Sequence, residues 1–131
     1  MAGTSAPERG ARVQTGPLGY DAGSGSAVTQ QTDRTTGVTI NALTGQITTN
    51  NTSLAAEASA VFTATNNQVA ATDVVALSIA SGPDGGNTAV NVVAVAGGSF
   101  GIRVSNNNAA GGTAETGAIV INFVVLKGQS A

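Results

Sequence analysis

The chain has 131 residues, a formal net charge of −2 and charged side chains at only 9% of its positions. It contains no cysteine and no histidine, which excludes disulfide frameworks, thiol nucleophiles, zinc sites built on these ligands and histidine-based catalysis. The length predicts one domain with a modest core, and the charge balance predicts no attraction to nucleic acid.

Residues 1–36 are rich in Gly, Ser and Thr, and they hold six of the twelve charged residues. They show no hydrophobic periodicity, so we expect an extended N-terminal arm rather than a folded unit. Leu18 and Tyr20 are two positions apart and therefore share one face of an extended chain. They can tuck back onto their own domain, but an arm so poor in apolar residues favours docking on a neighbouring subunit. The run 23–26 (GSGS) predicts a hinge.

Residues 37–131 are typical of a train of short β-strands. After a candidate lead-in strand at 27–31, alternating patterns predict strands at 37–41, 46–50, 60–65, 73–81, 88–96, 99–105 and 118–127. The strongest turn signal is 81–87 (SGPDGGN), and Gly97-Gly98 predicts a hairpin turn. Seven or eight strands at this spacing predict an all-β fold, a small antiparallel β-sandwich or jelly-roll-like domain.

The last predicted strand has apolar residues on both of its faces. Ile119, Ile121, Phe123 and Val125 occupy one face, and the other carries Val120, Val124 and Leu126. Apolar residues on both faces indicate burial on both sides of the strand. In a small antiparallel domain, the simplest way to bury this second face is contact with another subunit. We therefore predict that Val120, Val124 and Leu126 form a subunit interface.

No catalytic, cofactor or metal site is predicted, and we expect the protein not to be an enzyme. The four acids after residue 36 occur singly, and a glycosidase would need a pair of carboxylates; they are Glu57, Asp73, Asp84 and Glu115. Asp84 lies in a Pro-Asp-Gly turn and Asp73 precedes a strand, which favours turn or capping roles for both. The glycine-rich runs lack phosphate-loop spacing.

We expect neither export nor membrane insertion. The first residues, MAGTSAP, lack the apolar core of a signal peptide. The longest uncharged stretch, 85–102, is broken by Gly, Asn, Thr and Ser and is therefore unsuited to span a bilayer. The sequence thus predicts synthesis in the cytoplasm of the producing cell.

Five stretches together resemble a small β module of tailed-phage and prophage virion proteins. The match covers about residues 26–128 and is carried by 33–41 (DRTTGVTIN), 44–48 (TGQIT), 70–75 (AATDVV), 95–100 (VAGGSF) and 121–127 (INFVVLK). The resemblance implies a homotrimeric, jelly-roll-like domain on the virion surface. Such modules are similar to capsid decoration (cement) proteins or to the heads of fibres.

Between these two roles, the short arm favours decoration. A fibre protein usually carries a long shaft, whereas only about 36 residues precede this module, with a reach of at most about 3.3 Å per residue. We therefore predict a cement trimer on the outer capsid surface whose arm binds the major capsid protein. The expected anchoring residues are Arg9, Arg12, Val13, Leu18 and Tyr20.

Three other classes remain open. The runner-up is a receptor- or glycan-binding fibre head that would use the Asn-rich loops 50–53, 66–68 and 106–112, although only 3% of the residues are aromatic and sugar sites usually stack rings on aromatic side chains. A non-viral β binding module is the next alternative. An enzyme is the class that the sequence favours least.

Overall fold

The computed structural model describes residues 16–130. Within them the chain forms eight β-strands: β1 (Ser26–Thr29), β2 (Val38–Thr39), β3 (Thr44–Thr48), β4 (Ser59–Thr65), β5 (Val74–Ser81), β6 (Thr88–Ala96), β7 (Ser99–Asn106) and β8 (Val120–Leu126). Each predicted strand is present with bounds shifted by at most a few residues, because the alternation that predicted it also sets which side chains enter the core. The described residues contain no helix long and apolar enough to cross a membrane.

The strands form two four-stranded sheets. Sheet A has the order β1-β3-β8-β5 and sheet B the order β2-β4-β7-β6. The all-β sandwich is confirmed, but the predicted antiparallel arrangement holds only in part, since β1 runs parallel to β3 and β2 runs parallel to β4. The chain crosses to the other sheet after each of β1, β2 and β3. Two crossings therefore lie between β1 and β3, and likewise between β2 and β4. The chain reverses at each crossing, so the second strand of each pair runs in the same direction as the first. The remaining pairings are antiparallel.

Part of the segment predicted as an arm belongs to the sandwich. β1 starts at Ser26 and adds a strand to the edge of sheet A, and the Arg34 side chain is buried. The predicted division into an arm of 1–36 and a domain of 37–131 therefore cuts through a segment that the structure packs. Within the described residues, the part that precedes the first strand is 16–25.

The core lies between the two sheets and is built from alternate residues of the long strands. Phe100 on β7 and Phe123 on β8 meet across the sandwich with ring centroids 5.6 Å apart. Both rings are buried, as is Phe62 on β4, so all three phenylalanines of the chain fill the space between the sheets. In β8 the inward residues Ile121, Phe123 and Val125 are buried, and Val124 and Leu126 point to the opposite face.

Two glycines in the 81–87 turn provide a matched test of backbone packing. Gly82 has φ +103°, and a Cβ there would lie 2.0 Å from the Ala118 carbonyl oxygen; Gly86 has φ +87° with open space around it. We expect Gly86→Ala to cost about 1 kcal/mol through its left-handed backbone alone. Gly82→Ala adds a backbone clash and should cost about 3 to 4 kcal/mol. Urea midpoints measure both, and equal destabilisation by the two substitutions would contradict the close approach.

Candidate interaction surface

The outer face of sheet A is an uncharged surface. Its outward positions on β3, β8 and β5 lie in register, as in the row Gln46, Asn122 and Ser78. None of the outward positions on these three strands carries a charged side chain. Gln46 donates its side-chain amide to the Asn122 side-chain oxygen at 2.9 Å, so these two side chains pair in the middle of the face. The outer face of sheet B differs, since Arg103 projects from it on β7.

One end of this face carries an apolar patch. Leu126 on β8 pairs in register with Val74 on β5, and these side chains remain 51% and 58% exposed. Next to them, Leu18, Gly19, Tyr20, Val124 and Leu126 line a shallow recess. We call the five side chains Leu18, Tyr20, Val74, Val124 and Leu126 the apolar patch. A cluster of large exposed apolar side chains on a small domain is typical of an interaction site.

The segment 16–20 lies on β8 of its own chain. The Tyr20 hydroxyl donates a hydrogen bond of 2.5 Å to the Val125 carbonyl oxygen. Before β1 the chain reverses through a turn in which the Ser24 amide donates to the Asp21 carbonyl oxygen at 3.1 Å. Leu18 borders the recess, yet it is 88% exposed. The Leu18 side chain therefore buries little apolar area against β8.

The structure brings together four of the residues that the sequence singled out. Leu18 and Tyr20, predicted as arm anchors, share the recess with Val124 and Leu126, predicted as interface residues. Val120 lies on the same face of β8 but at its opposite end, between Thr48 and Ser81. Val74 is absent from the predicted interface, because the alternation in its strand indicates which residues enter the core and carries no signal about what covers the outer face. The predicted anchors Arg9, Arg12 and Val13 lie outside the described residues.

An ion pair borders the apolar patch. Lys127 Nζ lies 2.5 Å from Asp73 Oδ2 and also donates to the Gln68 carbonyl oxygen at 3.0 Å. Asp73 Oδ2 accepts the Ala70 amide at 2.8 Å, which confirms the predicted turn role of Asp73. The Ala70 amide, followed by Lys127, lowers the pKa of Asp73 below its ordinary value of 3.8. The ionised carboxylate therefore fixes the loop before β5 to the chain after β8.

The lowered pKa of Asp73 makes the stability of the fold depend on pH. The pKa of Asp73 in the folded state is lower than its ordinary value of 3.8, so its carboxylate stabilises the fold at pH values above 3.8. This contribution disappears as the pH falls through the lowered pKa. We expect a constant Tm between about pH 5 and 8, where the absence of histidine leaves little to titrate, and a falling Tm below about pH 4. Asp73→Asn should lower Tm at neutral pH, and its curve should converge with the wild-type curve in acid. Asp21→Asn, at an exposed position, is the control, and parallel curves for Asp73→Asn and the wild type would contradict the assignment.

A buried polar cluster lies apart from the patch and holds loops. The Glu115 carboxylate is fully buried and accepts the amides of Asp84, Gly85 and Gly117 at 2.9, 3.0 and 2.9 Å as well as the Thr88 hydroxyl. Asp84 in turn accepts the amides of Thr116 and Gly117. Hydrogen bonds from Thr116 are the main cause that lowers the pKa of Asp84. These carboxylates join the 81–87 turn and the start of β6 to the segment before β8.

Arg34 completes this cluster from the other side. Its guanidinium is buried and donates to the carbonyl oxygens of Thr52 and Gly117 at 2.5 and 3.0 Å and to the Thr49 hydroxyl at 3.3 Å. Sequence reasoning missed this role, because Arg34 lies in a polar run and its partners are far away along the chain.

Three asparagines of the Asn-rich loops, Asn66, Asn106 and Asn108, use their side-chain amides within the domain. The Asn106 amide donates to the Leu54 and Thr113 carbonyl oxygens at 3.0 and 2.9 Å, and the Asn108 amide donates to the Gly85 carbonyl oxygen at 2.7 Å. Asn66 donates to the Ala42 carbonyl oxygen at 2.6 Å. A glycan would need such groups free to bind its hydroxyls, so these loops support a structural role for the three asparagines.

Comparisons of the chain with protein-family models, with curated proteins and with solved structures find no match.

Proposed function

We propose that this protein is a structural virion protein, a capsid decoration (cement) protein that binds the outer surface of a phage shell as a homotrimer. The observation that carries the proposal is the apolar patch, with Leu126 and Val74 more than half exposed on a sheet face whose outward positions are uncharged. A face without charge can pack against a copy of itself or against a shell protein without desolvating ions.

The path of the chain supports the finer proposal of a jelly-roll-like domain. β3 pairs with β8 in sheet A, and β4 pairs with β7 in sheet B. Along the chain, β4 and β7 lie between β3 and β8, so the pair in sheet B is nested within the pair in sheet A. A jelly roll has the same nesting of strand pairs. This family of sandwiches is common in viral capsid proteins, which agrees with the resemblance carried by the sequence.

The proposed mechanism assigns different contacts to the two parts of the chain. Val120, Val124 and Leu126 on the outer face of β8 would pack between copies. The arm, with Arg9, Arg12 and Val13, would reach the major capsid protein. Three arms on one trimer would bind together, so individually weak contacts would combine into a firm attachment through effective concentration. A shell held at many such points resists expansion.

The test is the copy number of the protein in purified virions, measured by quantitative mass spectrometry against the major shell protein. We expect hundreds of copies per particle in a fixed ratio to the shell protein. A dozen copies would instead indicate a fibre or tail component, which would overturn decoration and direct attention to the loops. Absence from virions would overturn the virion assignment as a whole.

A further inference from the structure

The contact of segment 16–20 with β8 rests on a hydrogen bond and on the partial burial of Tyr20. Tyr20 fastens the segment through the hydrogen bond from its hydroxyl to the Val125 carbonyl oxygen. Leu18 lies beside the recess but remains 88% exposed, and Tyr20 is 40% exposed. Because Leu18 buries so little of its surface, Tyr20 provides most of the contact in the closed position, and Leu18 remains free to gain burial against another surface.

The chain reverses direction before β1 in one short turn, residues 21–24, which we take as the candidate hinge. Gly23 has φ +86° with open space where a Cβ would lie, and a backbone hydrogen bond closes the Asp21–Ser24 turn. β1 begins at Ser26 and is fixed along β3 by parallel pairing. Opening the turn would therefore redirect residues 16–20 without disturbing the sheet.

We propose that in the oligomer segment 16–20 leaves its own β8 and occupies the same recess on a second copy. The inference rests on the proposed function in one respect, the existence of an oligomer. Every copy offers the same Val125 carbonyl oxygen and the same Val124 and Leu126 side chains, so the neighbour restores each interaction that opening breaks. The equilibrium between the closed subunit and the exchanged oligomer then depends on the additional interface that forms between copies. This additional interface is the energetic basis of segment exchange.

Exchange also explains why the predicted anchors and the predicted interface residues share one recess. In a closed subunit Leu18 and Tyr20 cover part of the surface that a neighbour would use. In an exchanged ring each arm lies on the next copy, and the hinge spans the junction between them. The contact of the arm is then part of the interface between copies, because Leu18 and Tyr20 bind the recess of the neighbouring copy.

The chain contains no cysteine, so engineered pairs report the arrangement directly. The variant Leu18→Cys/Leu126→Cys places two thiols at one recess, and Gly19→Cys/Val124→Cys is a second pair at the same recess. After mild oxidation of the purified protein, we expect covalent dimers and trimers on non-reducing gels. The single variants Leu18→Cys and Leu126→Cys have the same mass, so one of them is isotopically labelled before they are mixed. Oxidation of the mixture should then yield a crosslinked heterodimer whose mass lies between those of the two homodimers.

Several results would overturn the exchange. These are a monomer closed by an internal disulfide while light scattering shows an oligomer, a protein that is monomeric at all concentrations, or no disulfide in either pair. Leu18→Cys/Val61→Cys is the control, since Val61 lies on the outer face of the other sheet, and it should form no specific product. Virion copy number is measured separately, so exchange can fail while the proposed function stands.

Discussion

Under the proposed function, Val74→Asp is expected to reduce self-association and shell binding about a hundredfold while leaving the fold intact. Val74 is 58% exposed in the apolar patch, so a carboxylate there remains hydrated in the free subunit. Covering it in an interface would remove that hydration at a cost of several kcal/mol. A loss of about 3 kcal/mol corresponds to roughly a hundredfold in Kd, and surface substitutions usually change the free energy of unfolding by no more than about 0.5 kcal/mol.

Val61→Asp is the matched control for this substitution. Val61 is also a valine on an outer sheet face, 41% exposed, but it belongs to β4 in sheet B and pairs with Arg103. We expect Val61→Asp to retain the oligomer and shell binding. Sedimentation velocity and occupancy of purified shells measure the two effects, with Tm as the check on folding. Equal behaviour of the two variants would remove the apolar patch from the interface.

Glu115→Ala is expected to cause the largest loss of stability among single substitutions of charged residues. Its fully buried carboxylate receives three backbone amides and a hydroxyl, and removal would leave these donors unsatisfied beside the buried Arg34. Breaking such a buried charged network costs about 4 kcal/mol, or roughly 15 °C in Tm for a domain of this size.

Glu57→Ala provides the control for this prediction, because Glu57 is an exposed glutamate. We expect its Tm to stay near that of the wild type. Glu115→Gln keeps one carbonyl oxygen but turns an amide group toward amide donors, so its Tm should fall between those of the wild type and Glu115→Ala. Calorimetry measures all three. Similar Tm values for Glu115→Ala and Glu57→Ala would contradict the role assigned to the cluster.

The buried cluster shows where prediction from sequence stops. Arg34 and Glu115 are 81 residues apart, and the Arg34 guanidinium lies 3.4 Å from the Glu115 carbonyl oxygen. Charged residues in polar loops are usually exposed, so nothing in their local pattern indicates burial. The closing of the sandwich brings their segments together, and only then does the exclusion of water make the hydrogen bonds around Glu115 strong.

The strands and their inward faces can be predicted from the sequence alone, because strand periodicity is local. Phe100, Ile102 and Val104 alternate with exposed Arg103 as their spacing predicts, and Ile121, Phe123 and Val125 do the same on β8. Strand pairing, the parallel addition of β1 and β2 and the meeting of Val74 with Leu126 in one patch follow only from the tertiary structure. These features depend on contacts between segments that are far apart in the chain. A short window of sequence contains no information about the loop-closure entropy or the packing of such contacts.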